Sequence, residues 1–224
     1  NNPINHELNT AFTDPGATAN DAADWDLTGS IITTGAVDSN TPATYTLTYN
    51  VSDTQSNAAT TVTRDVIVAD TIAPVITLTG NSTINVEQGS SYTDAGATAS
   101  DIIDGDRTAN ISVGGTVNTS IRGTYILTYN VSDTAGNSAT QISRTIHVID
   151  TTLPVITLSG ANPLNHEVGT IFTDPGATAS DNIDGDLTSS IGVSGSVNAS
   201  IVGSYILSYN VSDSAGNTAT TITR

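Results

Sequence analysis

Residues 124–132 read Thr124-Tyr125-Ile126-Leu127-Thr128-Tyr129-Asn130-Val131-Ser132. Tyr125, Leu127, Tyr129 and Val131 share one face, while Thr128, Asn130 and Ser132 point the other way, with Ile126 the exception. Alternation with a period of two is the pattern of a half-buried β-strand. Working outward, Val75-Ile76-Thr77-Leu78 and Ile142–Ile149 are rich in Thr and β-branched residues in the same way. Turn-forming runs separate them: Glu87-Gln88-Gly89, Asp104-Gly105-Asp106, Gly114-Gly115 and Asp133-Thr134-Ala135-Gly136-Asn137. No window carries a capped helical period. The spacing predicts strands at 75–79, 83–87, 92–99, 110–114, 124–132 and 138–149, plus one edge strand. About seven short strands fit a small antiparallel sandwich.

The same pattern recurs at a fixed offset. Asp14-Pro15-Gly16-Ala17-Thr18-Ala19 returns at Asp94–Ala99 and at Asp174–Ala179, 80 residues apart each time. Tyr49-Asn50-Val51-Ser52-Asp53 returns at Tyr129–Asp133 and Tyr209–Asp213. Residues 71–144 and 151–224 match at 46 of 74 positions, enough to assign one fold to every copy. Three repeats are therefore expected: 1–70, lacking the first strand, then 71–150, then 151–224, lacking the end of the last strand. The simplest reading is a window on a longer array, elongated end to end. Pro74 and Pro154 stiffen the short linkers near 69–74 and 149–154.

Composition narrows the function. The 224 residues contain no Cys and no Met, and five cations, all Arg, face 22 acids for a net charge of −17. No disulfide scaffold is available. No basic patch exists to displace counterions from nucleic acid. No apolar run approaches the roughly 18 residues of a membrane span. The 37% apolar fraction, arranged with strand periodicity, argues for folding rather than disorder.

Several of these runs occur together in one known family. Asp-Thr-x-x-Pro-Val-Ile-Thr-Leu-x-Gly at 70–80, Thr-Asp-x-Gly-Ala-Thr-Ala-x-Asp at 93–101, Asp104-Gly105-Asp106 and Tyr129-Asn130-Val131-Ser132-Asp133-x-Ala-Gly-Asn137 stand in order. The set resembles the bacterial immunoglobulin-like (hyalin-repeat-like) surface repeat, found in tandem in adhesins and beside the catalytic domains of secreted enzymes. The resemblance covers essentially the whole chain. It implies an all-β fold of tandem immunoglobulin-like sandwiches, an extracellular or bacterial cell-surface location, and a spacer or binding role. Repeat 1 departs from the pattern, with Trp25 in place of the Gly of Asp-Gly-Asp and Ser56 in place of the Gly of Ala-Gly-Asn.

The acidic loops are where chemistry is expected. Repeat 2 carries Asp101, Asp104 and Asp106, repeat 3 carries Asp181, Asp184 and Asp186, and repeat 1 carries Asp21, Asp24 and Asp26. Three carboxylates in six residues repel unless a cation lies among them. Ca²⁺ takes 6–8 oxygen ligands, and short Asp side chains place such oxygens around a tight turn. The alternative is a solvated acidic loop in which Asp and Gly merely form turns. Strand order brings Asp133 beside the first loop and Asp213 beside the second, both facing the preceding repeat. Linker residue Asp70 and Glu7 then join the first set, and Asp150 and Glu87 the second. Arg64, Arg144 and Arg224 are equivalent, and Arg144 is in phase with an inward face, so either a bulge turns it outward or it calls for an acid partner. Asp94 is the candidate.

Catalysis finds little support. No Gly-x-Ser-x-Gly elbow, phosphate loop or His-Glu-x-x-His occurs. The expectation is a non-catalytic stalk, stiffened by Ca²⁺, whose partners are neighbouring repeats of the same chain. Rival readings are a glycan- or host-surface-binding module built around Trp25, and a fibre subunit completed by strands from other copies of the chain.

Overall fold

The structure is a computed structural model that describes residues 2–224. It is 39% strand and 4% helix, with several separate sheets, as expected of immunoglobulin-like sandwiches. Repeat 1 holds β1 (Ile4–Glu7), β2 (Asn20–Asp21), β3 (Trp25–Asp26), β4 (Ile32–Thr34), β5 (Ala43–Asn50) and β6 (Val62–Ala69). Repeat 2 holds β7 (Val75–Leu78), β8 (Thr83–Glu87), β9 (Ala97–Asp101), β10 (Gly105–Asp106), β11 (Ser112–Gly114), β12 (Gly123–Asn130) and β13 (Ile142–Ile149). Repeat 3 holds β14 (Val155–Leu158), β15 (Ala177–Asp181), β16 (Gly185–Asp186), β17 (Gly192–Ser194), β18 (Ser208–Asn210) and β19 (Ile222–Thr223). One short 3₁₀ turn per repeat, such as Thr108–Asn110, was not foreseen.

Contacts divide the chain into two compact units. The first comprises 1–81, 95–114 and 128–143; the second comprises 82–94, 115–127 and 144–224. In the first, β1-β6-β5-β4 form one sheet. There β1 runs parallel to β6 from Ile4↔Val66 to Glu7↔Ala69. Also in this unit, β7 pairs antiparallel with β9, from Val75↔Ser100 to Leu78↔Ala97. In the second unit, β8 runs parallel to β13. Repeat 3 supplies the sheets β14-β15-β16 and β17-β18-β19.

The alternation read from the sequence holds. Leu127, Tyr129 and Val131 are buried, Tyr125 is half-buried, and Ile126 is exposed. Leu47, Tyr49, Val66 and Val68 form the core of repeat 1, with Ile4, Phe12 and Ile31 packed against them. In repeat 3, Ala179, Val211 and Ala219 are covered by Ile156, Leu187 and Ile191. Full burial of a Val, Leu or Ile side chain contributes roughly 1.5–3 kcal/mol, and the alanines contribute less. The strand expected at 92–99 begins only at Ala97, because Asp94 is spent on a side-chain contact and Gly96 turns the chain at φ 75°.

That contact is the one expected of the inward Arg. Arg144 is fully buried and pairs with Asp94. Arg64 lies 2.5 Å from Asp14 and Arg224 2.5 Å from Asp174. The hydroxyl of Tyr49 donates to Asp14 at 2.7 Å, and that of Tyr209 to Asp174. The buried guanidinium is thus neutralised and hydrogen-bonded, the condition for a charge to survive inside a fold.

Candidate metal centres

The first acidic loop is shaped by its own backbone. Asp101 Oδ1 accepts from the N–H of Ile103 (2.7 Å) and of Asp104 (2.9 Å), so the chain turns sharply after β9. Gly105 continues the turn at φ 72°, in the left-handed region that favours glycine. Asp104 is held by Thr134, whose N–H and hydroxyl both donate to it. Asp133 accepts from the N–H and the side-chain amide of Asn137, each at 2.7 Å. The same amide donates to the carbonyl of Asp70 at 3.1 Å, tying the linker to the loop. Glu7 accepts from the N–H of Thr71 at 2.9 Å and from its hydroxyl.

These contacts bring one carboxylate oxygen each of Asp70, Asp101 and Asp104 within 4.8 Å of one another. Asp70 Oδ2 and Asp101 Oδ2 are buried with no hydrogen-bond partner among the described residues, and so is Glu7 Oε1. Asp101 is 7% exposed. Burial raises the Asp70 pKa, and the Asp101, Asp133 and Glu7 carboxylates add to the rise against the Ile72 N–H that lowers it. For Asp133 burial works the same way, but the Asn137 hydrogen bonds prevail and hold its pKa low.

The second unit repeats the arrangement. Asp181 Oδ1 accepts from Ile183 and Asp184 N–H, and Asp184 from Ser214 N–H and Oγ at 2.8 Å each. Asn217 joins Asp213 to the Asp150 carbonyl. Oxygens of Asp150, Asp181 and Asp184 lie within 4.8 Å of one another. Asp150 Oδ2 and Asp181 Oδ2 are again buried and unpartnered. Burial, with the Asp181 and Asp213 charges, raises the Asp150 pKa. Glu87 goes the other way, down to about 2, because the side chain and N–H of Thr151 donate to it.

The structure therefore brings together six of the fifteen expected residues in two clusters. Asp106 and Asp186 fall outside them: each accepts from the N–H two residues on, of Thr108 and Thr188, and sets the 3₁₀ turn. Asp26 does the same with Thr28. Glu7 and Glu87 hold the linker threonines, while Asp133 and Asp213 lie alongside as acceptors for asparagine. In repeat 1, Asp21 and Asp24 make the same loop contacts, but no cluster of three forms there among the described residues. Thr134, Ser214, Asn137 and Asn217 were missed. Their signal was present in the Asp-x-Ala-Gly-Asn run. Trp25 is 78% exposed at φ 63°. His6 and His166 each contact a Thr backbone carbonyl and an aromatic edge.

The family model described as "Bacterial surface protein, Ig-like domain" matches residues 1–68, 76–148 and 156–224. The chain belongs to the bacterial surface Ig-like domain family. No curated protein matches it. Among solved structures, this Ig-like chain is similar to the lipoprotein BT2262 from Bacteroides thetaiotaomicron, at 19% identity over 64% of this chain and 62% of that one, with TM-score 0.32. It is also similar to the M60 catalytic domain with CBM51-1 and CBM51-2 of Clostridium perfringens ZmpB. That match has 12% identity, covers 70% of this chain and 32% of that one, and has TM-score 0.41. The chain spans less than two thirds of either, and at these TM-scores neither likeness bears on function.

Proposed function

We propose that these Ig-like domains form a non-catalytic extracellular spacer of a bacterial surface or secreted protein, with Ca²⁺ fixing each linker to the loop of the following repeat. The observation that carries this is the pair of buried, unpartnered carboxylate oxygens at each linker: Asp70 and Asp101, then Asp150 and Asp181. An ionised oxygen without a donor is costly to bury, and a hard divalent cation is the partner an all-oxygen donor set suits. Asp70, Asp101 and Asp104 would hold one ion, and Asp150, Asp181 and Asp184 another. The ion supplies the positive charge that three carboxylates lack. No helix is long and apolar enough to cross a membrane, and the surface family supports an exterior location.

The test compares thermal unfolding in EDTA and in millimolar CaCl₂, together with proteolysis at 69–74 and 149–154. Calcium should raise the melting temperature and protect both linkers. Asp101→Asn with Asp181→Asn should remove the response. Identical behaviour with and without calcium would reject the metal reading.

A second reading, glycan recognition, is favoured by Trp25 alone, a large exposed aromatic in the left-handed region. Strained, exposed residues cluster at functional sites. Glycan-array binding lost in Trp25→Ala would support it.

A further inference from the structure

The two clusters differ at one charged position beside a metal-facing carboxylate. After Asp106 comes Arg107, whereas after Asp186 comes Leu187 and after Asp26 comes Leu27. Leu187 packs against the small core of repeat 3. Arg107 instead turns toward the loop, with Nη1 3.7 Å from Asp104 Oδ2. Its Nη2 donates to the Ser132 carbonyl at 2.8 Å. Both side chains of the pair are mostly covered, at 16% and 14% exposure. The guanidinium is thus pinned beside a cluster carboxylate and remains charged at every accessible pH.

The acidic residues flanking the two clusters are matched. Glu7 and Asp133 flank the first, and Glu87 and Asp213 the second. The second has its own arginine, but Arg122 is exposed and donates only to the Ser214 carbonyl and hydroxyl, at 3.4 and 3.3 Å. It reaches Asp184 through one intervening hydroxyl, and water screens it. The linker aspartates differ in the same sense: Asp150 is buried at 7% exposure, while Asp70 is half-buried.

We propose that Arg107 is an affinity-setting residue that makes the two calcium positions unequal, so that the Asp150 cluster fills first and the Asp70 cluster only at higher calcium. This rests on the calcium reading above. Arg107 offsets part of the charge of Asp104 and repels an incoming divalent ion. A unit charge a few ångströms from a divalent one costs roughly tenfold in binding even at the dielectric constant of water. The linker before repeat 3 therefore stiffens at a calcium level that leaves the linker before repeat 2 free.

The experiment is isothermal titration of CaCl₂ into the metal-stripped 224-residue chain. The expected result is two steps about tenfold apart. Asp184→Asn should delete the tighter step and Asp104→Asn the weaker one. Arg107→Leu, which installs the residue found at positions 27 and 187, should bring the weaker step level with the tighter one. Arg107→Lys should keep the separation. If Arg107→Leu does not fold by circular dichroism, Leu187→Arg provides the reciprocal test and should weaken the tighter step. Two equal steps in the parent chain, or a separation that survives Arg107→Leu, would overturn this inference and leave the calcium reading standing. Absence of any binding heat would overturn both.

Discussion

The loops Asp21–Asp26 and Asp181–Asp186 hold their carboxylates alike. In each, the first Asp accepts the N–H groups two and three residues on, and the second accepts from a hydroxyl residue thirty positions later. They differ in what faces them. Asp150 stands against the later loop, and there Asp181 is 9% exposed with an unpartnered oxygen. Asp21 is half-buried and has no such orphan. The loop shape is therefore a local property of Asx turns. The electrostatic problem arises only where a linker aspartate enters. Repeat 1 serves as an internal control for the other two.

The largest expected effect compares the buried ion pairs. Arg144 is fully buried, whereas the Arg64 side chain is 17% exposed. Arg144→Ala removes the buried cation beside Asp94, leaving it the Tyr92 hydroxyl, and should cost about 3–5 kcal/mol by urea unfolding. Arg64→Ala should cost less, because the Arg64 guanidinium is already partly in water while the two acids, Asp14 and Asp94, are alike at 25% and 22% exposure. Equal losses would mean that the arginines act through packing alone.

Calcium linkage comes next. At a hundredfold excess over the dissociation constant, an ion that binds only the folded state adds about 2.7 kcal/mol. Asp70→Asn and Asp150→Asn should each remove the increment of their own cluster. Asp24→Asn should leave both intact, because among the described residues repeat 1 has no third carboxylate in reach. A calcium response weakened by Asp24→Asn would place an ion in a loop that lacks a linker partner.

The comparison also separates what the sequence could show from what it could not. Strand faces were legible because alternation survives in Leu127, Tyr129 and Val131, and even the exception, Ile126, is exposed. The Asp94 partner of Arg144 was legible because an inward charge must be neutralised. The role of Tyr49 and Tyr209 was not: an inward Tyr in an alternating strand looks like core, and its hydroxyl donor shows only in three dimensions. Asp106 was read as a ligand because Asp-Gly-Asp has the same composition whether its last carboxylate meets a cation or an N–H. The 3₁₀ turn that Asp106 sets is too short to leave a period. The orphan oxygens were invisible for a deeper reason, since burial of an individual atom depends on how the linker lies over the loop.

Titration offers a smaller test. Burial acts to raise the Asp14 and Asp174 pKa values, but the Tyr and Arg donors outweigh it and hold both below their ordinary value. A depressed folded-state pKa contributes stability that is complete above the unfolded value, about 3.9, and is lost as pH falls through the folded one. Asp70 and Asp150 have the opposite sign: their raised values mean that protonation relieves a cost present at neutral pH. In EDTA, stability should rise slightly as pH falls through the raised folded-state values of Asp70 and Asp150, and fall below about pH 4 as the depressed carboxylates protonate. Asp14→Asn should make the acid limb shallower, since Asp174, Asp133 and Glu87 still contribute to it, without touching the rise. Asp70→Asn should reduce the rise to the share of Asp150 and leave the acid limb, which makes the two arms separable in one melting-temperature series.

The smallest expected effect concerns the turn that distinguishes repeat 1. Asn9, Trp25 and Ser56 are the non-glycine residues at positive φ, and repeats 2 and 3 place glycine at every corresponding position: 89 and 169, 105 and 185, 136 and 216. An L-residue in the left-handed region costs roughly 1–2 kcal/mol. Trp25 is 78% exposed, so little burial offsets that cost. Trp25→Gly removes the strain but adds backbone freedom to the unfolded chain, worth about 0.5–1 kcal/mol. The difference predicts a net gain of up to about 1.5 kcal/mol, read as a higher urea midpoint at unchanged slope. Gly105→Ala should move the midpoint down by a similar amount, since a Cβ there meets nothing within 4 Å and only φ resists it. A loss of stability in Trp25→Gly would show that the indole contributes packing to repeat 1. A gain would mean that the chain carries a strained, solvent-facing indole at a measurable cost to its own fold, which favours recognition at that loop over a purely mechanical role for repeat 1.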